Sequence, residues 1–156
     1  MDGFFAMKEH YHYTGCGLDF VYLTNGYKAH QTPDGEGVAI EDADGLHKVI
    51  AREIITGPQR IRGQEVRFLR SEMDLSQEGL AKIMLTTRGT IARYEGSATK
   101  PIPGQAEAAL RMFVALKIGG HEIAEQIVEL LTEIDEFEHG DIAFSETQHG
   151  WVRMSA

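Results

Sequence analysis

The stretch Arg70-Ser71-Glu72-Met73-Asp74-Leu75-Ser76-Gln77-Glu78-Gly79-Leu80-Ala81-Lys82-Ile83-Met84-Leu85-Thr86-Thr87-Arg88-Gly89-Thr90-Ile91-Ala92-Arg93-Tyr94-Glu95-Gly96 holds two short helical patterns with a tight turn between them. Ser76 and Thr87 stand where the two helices begin, and their hydroxyls suit the N-cap, a contribution of about 1 kcal/mol each. Two helices that cross steeply must approach closely, and the small side chain of Ala81 allows that approach. Leu80, Met84, Ile91 and Tyr94 can then close a core with Val66, Leu69 and Met73 of the preceding segment.

Outward from this unit, residues 63–116 keep a helical pattern broken at Asp74-Leu75, at Leu85-Thr86 and across residues 96–103, which predicts four short helices. Pro103 suits the first turn of the fourth, which carries Ala109, Leu110, Phe113 and Leu116 at core spacing and ends at Gly119-Gly120. A fifth helix, over residues 121–138, sets Ile123, Ile127, Leu130, Ile134 and Phe137 at alternating steps of four and three. That spacing fits packing on the same domain or a two-helix seam between subunits. The acidic residues over 133–138 read as a solvated helix face. On the other side, residues 18–23 and Tyr27 onward have strand character around Asn25-Gly26, a type I′ hairpin signal. Val38-Ala39-Ile40 adds a third strand to a small antiparallel sheet. Leu46, Val49, Ile50 and Ile54 then mark a helix that Thr56-Gly57-Pro58 ends. The tail, residues 141–156, alternates apolar and polar side chains around Ile142, Phe144, Trp151 and Val152, with Gly150 as a turn; it fits a short hairpin or a loose end.

The residues Leu75-Ser76-Gln77, Leu80-Ala81, Thr87, Ile91, Glu95-Gly96 and Pro101 fall at fixed offsets, and over residues 62–116 the chain resembles the phage-repressor-like, or Xre, helix-turn-helix family. Two positions depart from it: Leu85 stands where the family often has glycine, and Thr86 where it has an apolar turn residue. The resemblance implies a structural ion pair between Arg70 and Glu95. It also implies a DNA-facing set. Gln77 binds a phosphate at a helix N-terminus. Arg88, Gly89 and Arg93 face away from the side defined by Ile91 and Tyr94 and reach base edges, with Thr87 at the helix start. Thr90 meets a thymine methyl or a phosphate, and Lys100 a phosphate. An arginine held bidentately on guanine gives about 1 to 3 kcal/mol of discrimination.

The expected fold class is therefore α+β. Residues 1–57 form a small N-terminal antiparallel sheet with a helix, and residues 58–120 the helix-turn-helix domain. That domain is expected to be a five-helix, lambda-repressor-like arrangement, followed over residues 121–156 by a C-terminal helix and tail for dimerisation or packing.

A formal net charge of -9 argues against a DNA binder until it is divided along the chain. Residues 52–100 carry 9 basic and 6 acidic side chains, against 3 and 8 over residues 1–51 and 3 and 10 over residues 101–156. The basic centre suits DNA and the acidic flanks suit proteins. No apolar run is long enough to span a bilayer, the N-terminus lacks a signal-peptide pattern, and the single cysteine, Cys16, excludes an intrachain disulfide, so a cytoplasmic protein without membrane contact is expected. His10, His12 and Cys16, with His30 and His47 further on, are zinc-ligand types but lack paired ligand spacing, so no metal site and no cofactor is assigned. The strand-rich N-terminus joined to this helix-turn-helix is also similar to the two-domain MqsA-type antitoxins, without their zinc-binding cysteine pairs. No nucleophile elbow or phosphate-binding glycine loop is present, and no enzyme is expected. The leading expectation is a dimeric transcriptional repressor on double-stranded DNA. An antitoxin that binds a toxin protein and autoregulates its operon stands second, and a small metal sensor third.

Overall fold

The computed structural model of the protein describes residues 10–119, 121–133 and 140–154. The architecture is mixed α+β, and the chain divides into two units. One unit takes the residues up to Val49 together with those from Gly140, and the other begins at Ile50. Among the described residues no helix is long and apolar enough to cross a membrane.

The first unit contains two sheets. In the larger, β1 (Tyr11–His12) pairs antiparallel with β2 (Val21–Leu23), β2 runs parallel to β5 (Ile142–Thr147), and β5 turns back into β6 (Gly150–Arg153). In the smaller, β3 (Tyr27–Thr32) pairs antiparallel with β4 (Gly35–Ile40). Leu18, Phe20, Val21, Leu23, Leu46, Phe144 and Trp151 are buried. Each such side chain contributes about 1.5 to 3 kcal/mol.

Two expectations are corrected here. Asn25-Gly26 does not close a hairpin, because β2 and β3 belong to different sheets. The Asn25 amide instead takes the place of a strand's peptide group: its Nδ2 donates to the Glu146 carbonyl (3.2 Å) and its Oδ1 accepts from the Glu146 N–H (2.6 Å). Gly26, at φ 76°, then redirects the chain beneath the Trp151 ring, where a Cβ would collide. The expected divisions at residues 57 and 120 also move. The tail is indeed a hairpin, but β5 bonds to β2, so it joins the N-terminal strands. The first division falls inside helix α1 (Ala43–Thr56).

The second unit is helical: α2 (Gly63–Glu72), α3 (Gln77–Ile83), α4 (Arg88–Gly96), α5 (Gly104–Ile118) and α6 (His121–Glu133) follow the end of α1. The four helices expected over residues 63–116 are present. In α6, Ile123 and Ile127 are buried and the helix packs on α5, so these two positions serve their own unit rather than a subunit seam. Ile134 and Phe137, and the acidic residues from 134 to 138, lie outside the described residues.

A buried cation ties this unit together. Arg111 of α5 is fully buried and donates to the carbonyls of Ile54 and Ile55 (3.2 and 2.8 Å), Gly57 (2.8 Å) and Gln59 (2.7 Å). Ile54 and Ile55 belong to the last turn of α1, whose carbonyls lack helical partners, while Gly57 and Gln59 follow in the loop; a guanidinium also complements the negative end of the helix dipole. Burial lowers the pKa of Arg111, and the neighbouring Glu107 offsets part of that effect. Glu107 also accepts from the Ile61 N–H (2.7 Å) and from Arg60 Nε (2.9 Å).

Candidate nucleic-acid interface

Helices α3 and α4 begin as their sequences predict. Ser76 Oγ accepts from the Gly79 N–H (2.9 Å), and Thr87 Oγ1 accepts from the Thr90 N–H (3.1 Å). Asp74 and Leu85, both at φ 55°, bracket α3 and redirect the chain on either side of it. Beneath the turn, Leu80, Ala81 and Ile91 are buried with Val66, Leu69 and Met73, while Met84 and Tyr94 are half-buried. Gly63, the first residue of α2, lies so close to the end of α4 that a Cβ would fall onto the carbonyl oxygens of Tyr94 and Ser97.

The ion pair that the resemblance implied forms and reaches further than a pair. Arg70 donates through Nε to Glu95 Oε2 (2.6 Å) and through Nη2 to Oε1 (2.8 Å), the bidentate geometry that a guanidinium fork favours. Its Nη1 also donates to the Leu75 carbonyl just before α3 (3.0 Å), and Gln77 Nε2 donates to Glu95 Oε1 (3.3 Å). One carboxylate thus fixes α2, the entry to α3 and the last turn of α4. Hydrogen bonding to Glu95 raises the pKa of Arg70, against a smaller opposing effect of burial.

The assigned DNA-facing residues separate into groups. Arg88, Gly89 and Arg93 are exposed, and positions four apart on a helix, such as Gly89 and Arg93, share a face. Among the described residues neither arginine has a carboxylate partner, and the same holds for the exposed Lys100 after α4. An added Cβ at Gly89 would meet nothing nearer than Thr87 Oγ1 at 3.8 Å, so the protein's own packing gives no reason for glycine there. Thr87 and Thr90 share a hydroxyl–hydroxyl hydrogen bond of 3.0 Å at the start of α4. Gln77 is half-buried with one amide N–H turned to Glu95, which leaves its second N–H for another acceptor.

Sequence reasoning missed a cavity of about 440 Å³ beside the end of α4, where Arg93, Tyr94 and Lys100 meet Arg60, Ile102 and Pro103. Its signal is the cations Arg93 and Lys100 with the prolines Pro101 and Pro103, in a stretch whose residues 96–103 read in the sequence only as a helix break.

Three of the candidate metal ligands are engaged separately, while His10 Nδ1 is buried without a hydrogen-bond partner among the described residues. His12 Nε2 lies 2.8 Å from the Asp19 carbonyl with its ring stacked on Tyr22 at 4.4 Å, and His47 Nε2 lies 2.8 Å from the Tyr13 hydroxyl. The Cys16 thiol points to the Tyr13 carbonyl. Among the described residues no three His, Cys, Asp or Glu side chains converge as a metal site would need.

Compared with protein-family models, curated proteins and solved structures, the chain matches none of them.

Proposed function

We propose that this protein is a sequence-specific DNA-binding regulator that acts as a dimer on a two-fold DNA site. The observation that carries the reading is the exposed face of α4, where Gly89 lies beside Arg88 and Arg93, both free of acidic partners among the described residues, on a helix pinned by the Thr87 cap and the Arg70–Glu95 pair. A helix presented in this way fits the major groove, where arginine distinguishes guanine by its O6 and N7 atoms. In this reading α2 to α6 correspond to the five helices of a phage-repressor-like domain, with α3 crossing the backbone and α4 reading the bases. Gln77, Thr87, Thr90 and Lys100 surround α4 as phosphate or methyl contacts. One such unit reads few base pairs, and a second copy about one helical turn away supplies the missing affinity.

The test is selection of bound sequences from random DNA, followed by titration of Arg88→Ala on the selected site and on unrelated DNA. Loss of one bidentate contact lowers specific affinity by about 1 to 3 kcal/mol while leaving nonspecific binding much less affected. Equal losses on both DNAs exclude base reading by Arg88, and the absence of any selected consensus at low salt overturns the function.

A further inference from the structure

The cavity beside α4 has a composition that phosphate contact alone does not require. Its volume of about 440 Å³ is larger than a single inorganic anion needs and lies within the range of small-ligand pockets, about 300 to 1,000 Å³. Its lining combines two cations, Arg93 and Lys100, both exposed and without acidic partners among the described residues, with the aromatic and apolar residues Tyr94, Ile102 and Pro103.

The walls are preformed. The Lys100 carbonyl accepts from the Gly63 N–H (3.2 Å), its N–H donates to the Ser97 carbonyl (3.0 Å), and the Ile102 N–H donates to the Ile61 carbonyl (3.0 Å). Arg60 lies at the same cavity, with Nη2 donating to the Ile102 carbonyl (2.7 Å) and Nε to Glu107. Backbone and proline rings fixed in this way lose little freedom when a ligand enters.

We propose that this cavity binds a small anion carried on an aromatic body, an aryl phosphate or aryl carboxylate, and that its occupant competes with DNA for Arg93 and Lys100. The anionic group pairs with the guanidinium and ammonium, and the ring lies on Tyr94 and Pro103. Arg93 belongs both to the exposed face of α4 and to the cavity wall, so one side chain has two destinations. The competition rests on the DNA-binding reading; the binding does not.

Amide NMR of the full chain at constant ionic strength, titrated with phenyl phosphate, benzoate, inorganic phosphate and benzyl alcohol, tests the site. Phenyl phosphate or benzoate should saturate shifts at Tyr94, Ser97 and Lys100 with affinity about tenfold or more above the two fragments, the factor that one charge-assisted hydrogen bond produces. Lys100→Glu and Arg93→Ala should each remove about that factor, and Arg67→Ala, an exposed cation elsewhere on α2, should not. Equal weak shifts from all four probes, or indifference to both variants, overturn the pocket. Loss of DNA affinity in both variants without saturable aryl binding also overturns it and makes the cavity a seat for the DNA backbone. In the second arm, phenyl phosphate should weaken binding to the selected DNA site; saturation with unchanged DNA affinity overturns the competition. Saturable aryl binding by a protein that selects no DNA upholds the pocket and removes the DNA reading instead.

Discussion

Leu85 occupies the left-handed region at φ 55° with 94% of its surface exposed, so the turn between α3 and α4 gains no burial from this side chain in return for its strain. A left-handed residue with a Cβ costs about 1 to 2 kcal/mol, and glycine, though it orders a freer unfolded chain, avoids most of that cost. Leu85→Gly should therefore raise stability by up to about 1 kcal/mol, read as a higher denaturant midpoint with an unchanged slope. Gly89 gives the opposite case. Alanine there meets open space and suits the first turn of α4 better, by less than the roughly 1 kcal/mol of a helix interior. Gly89→Ala should stabilise the protein and, if the proposed function holds, weaken the specific DNA complex, measured by thermal melting and by titration of the selected site. A stabilised variant with unchanged affinity means that the backbone at this position does not approach DNA closely.

At the scale of elements, the helices were legible because their signals are local. Ser76 and Thr87 cap within three residues, and Ile91 and Tyr94 repeat within one turn. The sheet was misread for the converse reason. Asn25-Gly26 carries a hairpin signal, yet the partner of Asn25 is Glu146, which no local pattern can reveal. Asn25→Ala should leave the Glu146 N–H and carbonyl without these bonds and cost about 1 to 2 kcal/mol, checked by denaturant unfolding and by faster amide exchange at Glu146. Arg111 was only partly legible: arginine is almost never fully buried unless paired, and although Glu107 stands four residues before it, most of its partners are backbone carbonyls that carry no residue-type signal. The candidate site was read in part. Its exposed arginines follow from the helical period of α4, whereas the cavity needs the return of residues 100–103 alongside Ile61 and Gly63.

Across the whole molecule, a net charge of -9 with its cations concentrated in residues 52–100 makes the proposed DNA affinity a local quantity that salt should strongly weaken. Lys100→Ala should flatten the slope of log affinity against log salt by about one per half-site and lower affinity for all sequences alike, whereas a base-reading residue alters the preference among them. The parallel pairing of β2 with β5 has a further consequence, in time rather than in space. Val21 pairs with Ile142, so the ribosome must make more than a hundred residues after β2 before that strand can find its neighbour. The helices close through near contacts and fold early, while long-range strand pairing is slow. During synthesis a nascent chain would hold a finished helical unit beside a sheet whose β2 edge stays open until the last strands emerge. Any event that stops translation before residue 142 leaves that edge bare for a chaperone or protease to find.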